Sequence, residues 1–593
     1  MKRTLSTLLV ICLIPILATA GNVSEQKARE TAGRFFGLTS ATRAGAPALE
    51  LVWRYGAVST RSSQSAPAFY VFNNPYGGFV VISGDDVARP VLGYSRTGSF
   101  AVTGMPDNLR GWMEGLGKSI EDARESGAAQ TPSVARAWES VGTMTRAGGE
   151  ICLNTALWDQ SEPYNGECPL IDGVRSITGC GPTSLSIIMY YHRLPAGSYL
   201  NSETGYTNAA FGWNYMLSKY HDVQYVPESG AYYYTAKHYA DGDAAATSVA
   251  RLMRENGIRA QSIYGTGGTI TNDNNLVQAM KDYRNADGTA VFDQNVRYLW
   301  RDGYDADIWI DMLRAEIDAG RPLIYRGTDR EYSSGHIFVV DGYNDEDMFH
   351  VNWGWSGRGN GYFALDAFYA EIQPVCYRFT SYQAATLGIM KNENSAPLKE
   401  FTLSGGLYLA GGTIDAFGTS FTMGVGRFDN TGTVTTPCVI ALFLVDKDGN
   451  RVKQISSSVN YGNIPVSYGA GYEIGCTITG TTLHLGDRIE LYWSETGSGG
   501  WNKVFSNSSA ILDSYPAFDI CMIRAEESYV AGDTFKFKLF NNASPVNVVT
   551  WYFDGVQVDR SSVTLTSGTH SVKAVATFQD GHSETLFREI EVD

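Results

Sequence analysis

The residues best placed to do chemistry lie around Cys180, in Ile177-Thr178-Gly179-Cys180-Gly181-Pro182-Thr183-Ser184-Leu185-Ser186-Ile187-Ile188-Met189. Pro182 suits the first turn of a helix, and Leu185, Ile188 and Met189 fall on one stripe of it, so the spacing predicts a helix capped at Cys180. At a helix N-terminus the dipole and the free N–H groups favour thiolate over thiol, and the same N–H groups can hold an oxyanion. A thiolate nucleophile also needs a base, a group that orients the base and a second oxyanion donor. Of the eight histidines, His336 has the setting for a base: Gly335 leaves room beside it, and Ile337-Phe338-Val339-Val340-Asp341-Gly342-Tyr343 reads as a strand that fixes the ring at a sheet edge. In Met348-Phe349-His350-Val351-Asn352-Trp353-Gly354-Trp355, Asn352 is expected to bond the other ring nitrogen and Trp353 to shield that bond from water. Trp158-Asp159-Gln160 offers the Gln160 side-chain amide to the oxyanion.

Other candidates carry less. His350 shares a strand face with Asn352, so it can approach the site, but a structural role is preferred. Asp341 points away from the His336 face if alternation holds, and no catalytic part is assigned to it. His192, on the Cys180 helix but on another face, is assigned a local contact. The Gly-rich run Tyr264 to Thr269 lacks the Lys-Ser/Thr ending of a phosphate loop and is expected to border the cleft.

These residues need a scaffold, and 593 residues are too many for one core. Hydrophobic content of 44% is enough to bury several, and 64 glycines among short Val/Ile/Tyr/Thr runs point to strand-rich folding. A net charge of -16 disfavours nucleic acid and anionic membrane surfaces as main partners. Lys2 and Arg3, the apolar stretch Leu8 to Leu17 and Ala18-Thr19-Ala20 read as a signal peptide, residues 1–20, which predicts a secreted, periplasmic or cell-surface protein with no integral membrane segment. Of eight cysteines, Cys12 leaves with the signal. The seven that remain, Cys152, Cys168, Cys180, Cys376, Cys438, Cys476 and Cys521, are an odd number, so at least one thiol is unpaired. For an arbitrary exported cysteine a disulfide is the default, but the helix cap and the odd count favour a free Cys180.

Helices are expected over Ser24 to Phe36 and Asp107 to Glu125, and a hairpin joins Phe69–Phe72 to Gly78–Ser83 through Asn73-Asn74-Pro75-Tyr76-Gly77. The stretch Gly127 to Gly149 reads as a linker, as does Asn392-Glu393-Asn394-Ser395-Ala396-Pro397. Beyond it, alternating strands without helices predict two all-β units, 397–515 and 516–593, the second of immunoglobulin size.

The order Gln160, Thr178-Gly179-Cys180, Gly335-His336 and Asn352-Trp353-Gly354-Trp355 resembles the streptopain and interpain family of papain-like cysteine peptidases. Pro163-Tyr164-Asn165, Arg321-Pro322-Leu323-Ile324-Tyr325 and Gly361-Tyr362-Phe363-Ala364-Leu365-Asp366 add to the resemblance. Phe69-Tyr70-Val71-Phe72-Asn73 and Gly77-Gly78-Phe79-Val80-Val81-Ile82-Ser83-Gly84-Asp85-Asp86 are similar to that family's prodomain. The resemblance implies an α+β inhibitory propeptide over 21–146, a papain-like α+β catalytic domain over 147–392, and C-terminal immunoglobulin-like β-sandwich domains. It implies that Cys180 attacks a peptide carbonyl, His336 shuttles the proton, Asn352 with Trp353 orients His336, and Gln160 with the Cys180 N–H holds the oxyanion. The partners expected are protein or peptide substrates and the chain's own propeptide as intramolecular inhibitor, released at a junction near Met144 to Gly149. No cofactor or metal is expected. A transglutaminase-like acyl transferase would use the same Cys/His pair, and a non-catalytic adhesin would keep it as a relic.

Overall fold

Helix α1 (Glu25–Phe35) starts where the Ser24 hydroxyl accepts the N–H of Lys27, and it buries Ala28, Ala32 and Phe35. It lies against the first strands of a computed structural model that describes residues 21–38, 48–56, 66–141, 149–328, 335–365, 383–412, 414, 420–481, 486–509, 511–517, 519–520, 529–537, 539–540, 546–559, 562–578 and 583–592. Strands β1 (Glu50–Tyr55), β2 (Phe69–Asn73), β3 (Phe79–Ser83) and β4 (Val91–Ser95) form an antiparallel meander whose β2–β3 turn is the expected one. Helix α2 covers Asp107–Glu125, as its apolar spacing predicts, and buries Leu109, Trp112, Met113, Leu116 and Ile120. The stretch read as a linker contains helix α3 (Pro132–Ser140), capped by the Thr131 hydroxyl, with Val134, Ala137 and Trp138 buried. With only three of nine residues buried, little period is there to detect, yet Thr131-Pro132 is a strong helix start. The signal peptide and the junction residues 142–148 lie outside the described residues.

After β5 (Ile151–Cys152) come helix α4 (Cys180–His192), the hairpin β6 (His221–Val226) and β7 (Ala231–Lys237), then helices α5 (Ala244–Arg259) and α6 (Asp273–Asp282). Strand β8 (Arg297–Trp300) and helix α7 (Ala306–Asp318) lead into β9 (Leu323–Thr328), β10 (Gly335–Tyr343), β11 (Met348–Asn352), β12 (Gly361–Ala364) and β13 (Ala384–Leu387). All but the β6–β7 hairpin join one eleven-stranded sheet in the order β1-β2-β3-β4-β12-β11-β10-β9-β13-β8, with β5 on β10. The meander and the later strands meet where Tyr94 and Gly93 pair with Tyr362 and Phe363.

Alternation along β10 feeds two cores. Phe338 and Val340 pack in one with Leu109, Trp112 and Leu116 of α2, while Ile337 and Val339 pack in the other with Leu185, Ile187 and Ile188 of α4. Trp112 anchors the first: its ring meets Phe338 edge-on at 5.6 Å and its Nε1–H donates to the Ala364 carbonyl at 3.3 Å.

Residues 1–395 form one compact unit and 396–593 a second. In the second, Phe401–Gly411, Ser420–Asn430 and Gly469–Thr477 pair in one sheet, Thr436–Val445 and Arg488–Ser494 in another. Leu403, Met423, Ile440, Leu442, Ile474 and Leu491 share the core between the two sheets. A further antiparallel sheet contains Val546–Phe553, Gly568–Phe578 and Ser583–Val592. No helix occurs among the described residues of this unit. Nor is any helix among the described residues of the chain long and apolar enough to cross a membrane.

Trp112→Ala, made in a Cys180→Ala chain, is expected to destabilise the first unit by about 3–5 kcal/mol, read from urea unfolding. A loss below about 1 kcal/mol would mean that the α2 core does not depend on this ring.

Candidate active site

Cys180 is the first residue of α4, and the glycines on either side of it are required by what lies over them. A Cβ on Gly179 would sit 2.8 Å from the Thr269 Cβ, and one on Gly181 would sit 2.9 Å from the Thr271 Cβ. Gly179 also has φ +86°, a conformation that favours glycine. The Thr269 hydroxyl donates to the Ile177 carbonyl at 2.7 Å, which ties the Gly-rich run read as a cleft border to the nucleophile turn.

The Cys180 thiol lies beside the β10 strand, where the N–H of Ile337, the residue after His336, favours its thiolate form. Its pKa is raised, contrary to the expectation from the helix terminus alone. Burial is the largest cause and the negative charge of Asp273 adds to it, while the N–H groups of Ile337, Gly181 and Cys180 itself work in the other direction. The helix terminus therefore acts as predicted but is outweighed. Asp273, the first residue of α6, is itself pushed up by burial and pairs with Arg326 at 2.9 Å.

His336, the second residue of β10, has its ring against the prosegment. A Cβ on Gly111 of α2 would come within 2.9 Å of the ring Cδ2 and 3.1 Å of Nε2, so a larger residue at this point of the helix would press on the ring. By alternation the ring shares its strand face with Phe338 and Val340, the face that α2 covers.

Asn352 closes β11, opposite Val339 of β10. Its Nδ2 donates to the Thr155 hydroxyl at 3.0 Å and the Ala156 carbonyl at 2.9 Å, and its Oδ1 accepts the Gly354 N–H at 3.2 Å. Trp353 is buried against Phe338, with ring centroids 4.7 Å apart, and its carbonyl accepts Asn108 Nδ2 of α2 at 2.6 Å. Gln160 is buried, and its carbonyl accepts the Thr178 N–H at 3.1 Å, which fixes the distance between the two segments. The structure thus gathers Gln160, Cys180 and the start of β10 on one side, while Trp353 and the His336 ring meet the prosegment.

Asp159 is a positioning residue that the sequence reading passed over. Fully buried, it accepts Arg358 Nη2 and Ser356 Oγ at 3.0 Å each, Tyr234 OH of β7 at 2.7 Å and the Gln160 N–H at 2.6 Å. An acidic residue between Trp158 and the glutamine read as an oxyanion donor was the available signal. His350 and Asp341, kept out of the catalytic set from sequence, bond each other at 2.5 Å. Burial opposes the His350 charge, but the Asp341 carboxylate outweighs it and raises His350 to about 10. His192 ends α4, where its Nε2 is buried without a hydrogen-bond partner among the described residues, so the expected local contact is not made there through that atom. Cys152, Cys168, Cys180, Cys438 and Cys476 are all free thiols, and Cys376 and Cys521 lie outside the described residues. An odd count was therefore not what distinguished Cys180; the helix terminus was.

A free thiol at a helix terminus, beside a strand whose histidine is covered by a preceding segment, defines a class: a cysteine peptidase held as a precursor. Residues 158–363 match the Peptidase C10 family, and residues 20–120 match the Spi protease inhibitor family. The chain is 29% identical over 386 residues to the thiol protease/hemagglutinin PrtT of Porphyromonas gingivalis, covering 62% of this chain and 41% of that protein. It is 27% identical over 393 residues to streptopain of Streptococcus pyogenes, covering 62% of this chain and 91% of that protein. A solved fragment of prointerpain A from Prevotella intermedia aligns at 24% identity with a TM-score of 0.41, covering 58% of this chain and all of the fragment. These matches support a streptopain/interpain-family cysteine peptidase precursor, activated by propeptide removal.

Because its thiol is raised, Cys180 of the uncut chain is expected to be mostly protonated at pH 7 and to react slowly with iodoacetamide, about tenfold faster per pH unit up to its pKa. The mass of the Cys180 peptide in the first minutes after mixing reports this rate. A rate already at its plateau at pH 7 would contradict the burial argument.

Proposed function

We propose that the chain is exported and cuts itself between about Met144 and Gly149, and that the released domain is an endopeptidase acting on protein substrates. The observation that carries this reading is the place of Cys180 at the start of α4 beside Ile337 of β10, one residue on from His336. In the working form His336 turns from the prosegment face toward Cys180 and takes its proton. The thiolate then attacks the peptide carbonyl, His336 returns the proton to the leaving amine, and water resolves the acyl-enzyme by the same route. Asn352, backed by Trp353, orients the ring, and the Gln160 amide with the Cys180 N–H receives the oxyanion. The fixed position of Gln160 relative to Thr178 supports that last role.

The prosegment acts as an intramolecular inhibitor by occupying the His336 face, and Gly111 is the point of contact. The basic and apolar start of the chain supports export. We also read 516–593 as an immunoglobulin-like unit, on the paired strands between Val546 and Val592.

Purified wild-type precursor in reductant is expected to lose residues 21–146 and gain casein hydrolysis, while Cys180→Ala stays full length and inert. Maturation of the mutant with no other protease present would overturn self-activation, and an inert, fully processed wild type would overturn the peptidase assignment. Gln160→Ala in the processed enzyme is expected to lower kcat by about 10²–10³ with little change in KM. A change confined to KM would instead give Gln160 a substrate-binding part.

A further inference from the structure

A second thiol and imidazole meet away from Cys180, around Gly342 of β10. Gly342 has Cys152 of β5 as its register partner on one side and His350 of β11 on the other. A Cβ there would lie 3.0 Å from both the Cys152 Cα and the His350 Cβ, so glycine lets the two flanking side chains close over the strand. The register shift between Val340 and Gly342 adds Asp341 to the group. Cys152 Sγ lies 3.5 Å from His350 Nδ1, and Asp341 Oδ1 lies 2.5 Å from the same nitrogen. The three donor atoms all fall within 4.8 Å of one another. The other carboxylate oxygen of Asp341 is held by the Thr155 N–H at 3.0 Å and the Thr155 hydroxyl at 2.7 Å, which leaves Oδ1 directed at the cluster. His350 is braced by the Tyr362 ring at 5.1 Å. All three side chains line a cavity of about 1130 Å³, whose other walls include Asn73 and Ser99 of the prosegment and Tyr232 of β7.

We propose that Cys152 Sγ, His350 Nδ1 and Asp341 Oδ1 form a binding site for one divalent transition-metal ion of the zinc class, with cavity water as the fourth ligand. A second nucleophile is the poorer reading, because a thiol–imidazole–carboxylate relay places thiol and carboxylate on different ring nitrogens. Here both face Nδ1, as donors around a shared ion would. A thiolate, an imidazole and a carboxylate with one open position is a zinc-type donor set. Bond lengths of about 2.3 Å to sulfur and about 2.0 Å to nitrogen and oxygen put tetrahedral donors roughly 3.3–3.6 Å apart. The Cys152–His350 separation already matches. The Asp341–His350 separation must widen by roughly 0.8 Å, which a turn of the carboxylate about its Thr155 bonds supplies. Binding releases the protons carried by Nδ1 and Sγ and changes no oxidation state. The three donors come from separate segments with no motif spacing, which is why the sequence reading expected no metal. Since β5 follows the proposed junction, the ion would fasten the new N-terminal strand to β10 and β11 after the prosegment leaves.

The test is titration of the full-length Cys180→Ala chain with Co²⁺ alone, a background that blocks maturation and removes the thiol of the other site. One equivalent is expected to produce tetrahedral d–d absorption and a thiolate-to-cobalt charge-transfer band, both bleached by one equivalent of Zn²⁺. Cys152→Ser in this background is expected to lose the charge-transfer band and bind Zn²⁺ at least about tenfold more weakly. Substoichiometric binding, or an unchanged spectrum in the variant, would overturn the site. Should the variant fail to fold, protection of Cys152 from alkylation by Zn²⁺ in the parent chain decides the matter: protection supports the site and its absence overturns it.

Discussion

The double burial of strand β10 is the constraint on which the first unit depends. One face packs on the helix that carries Cys180, the other on prosegment helix α2, and neither can move without opening a core. Two-residue alternation then fixes what each position can do. Ile337 faces the α4 core and brings its N–H beside Cys180, whereas His336, one residue earlier, shares the face that α2 covers. Bringing the imidazole to the thiol would therefore be a rearrangement at the second residue of the strand, with Cys180 left where it is.

The prosegment is joined more by side chains than by backbone. Its meander continues the catalytic sheet, but β4 and β12 share only the register pairs Tyr94–Tyr362 and Gly93–Phe363. Side-chain contacts include Trp112 in the α2 core, Asn108 on the Trp353 carbonyl, Asn344 Nδ2 on the Tyr94 hydroxyl, Arg89 on the Glu346 carbonyl and Arg96 paired with Glu150. Such a joint suits a segment that must be specific while attached and then leave. Few ladder bonds need to be exchanged with water, and the strand edge exposed afterwards is four residues long, too short to recruit a foreign strand easily.

Much of this was legible in the sequence because it obeys local periods. Helix α2 has the bounds its apolar spacing predicts, the β2–β3 hairpin turns where Asn, Pro and Gly cluster, and Cys180 begins its helix. Gln160, Cys180 and the residues around His336 converge in the order their motifs suggested. What escaped depends on tertiary contact. Helix α3 buries only three residues and so has little period. The joining of the prosegment strands to the catalytic sheet rests on two register pairs that no spacing encodes. The Cys152–Asp341–His350 cluster exists because a strand irregularity and a glycine bring three distant segments to one point. Five free cysteines make the parity of the count uninformative.

The protonation of Cys180 shows why a helix terminus is not sufficient to make a nucleophile. Three N–H groups favour the thiolate, yet burial and the Asp273 charge keep the proton on sulfur. Arg326 offsets Asp273 through their ion pair but does not reverse the balance at the thiol. Withholding charge at sulfur is a second restraint, separate from the steric one at Gly111. A positive group brought beside the sulfur is what the balance lacks, and an imidazole that accepts the thiol proton becomes that group in the same step. Proton transfer and charge compensation are then one event, so a sulfur held neutral in the precursor is converted only when the ring arrives, and lowering its pKa in advance would gain nothing for the active form.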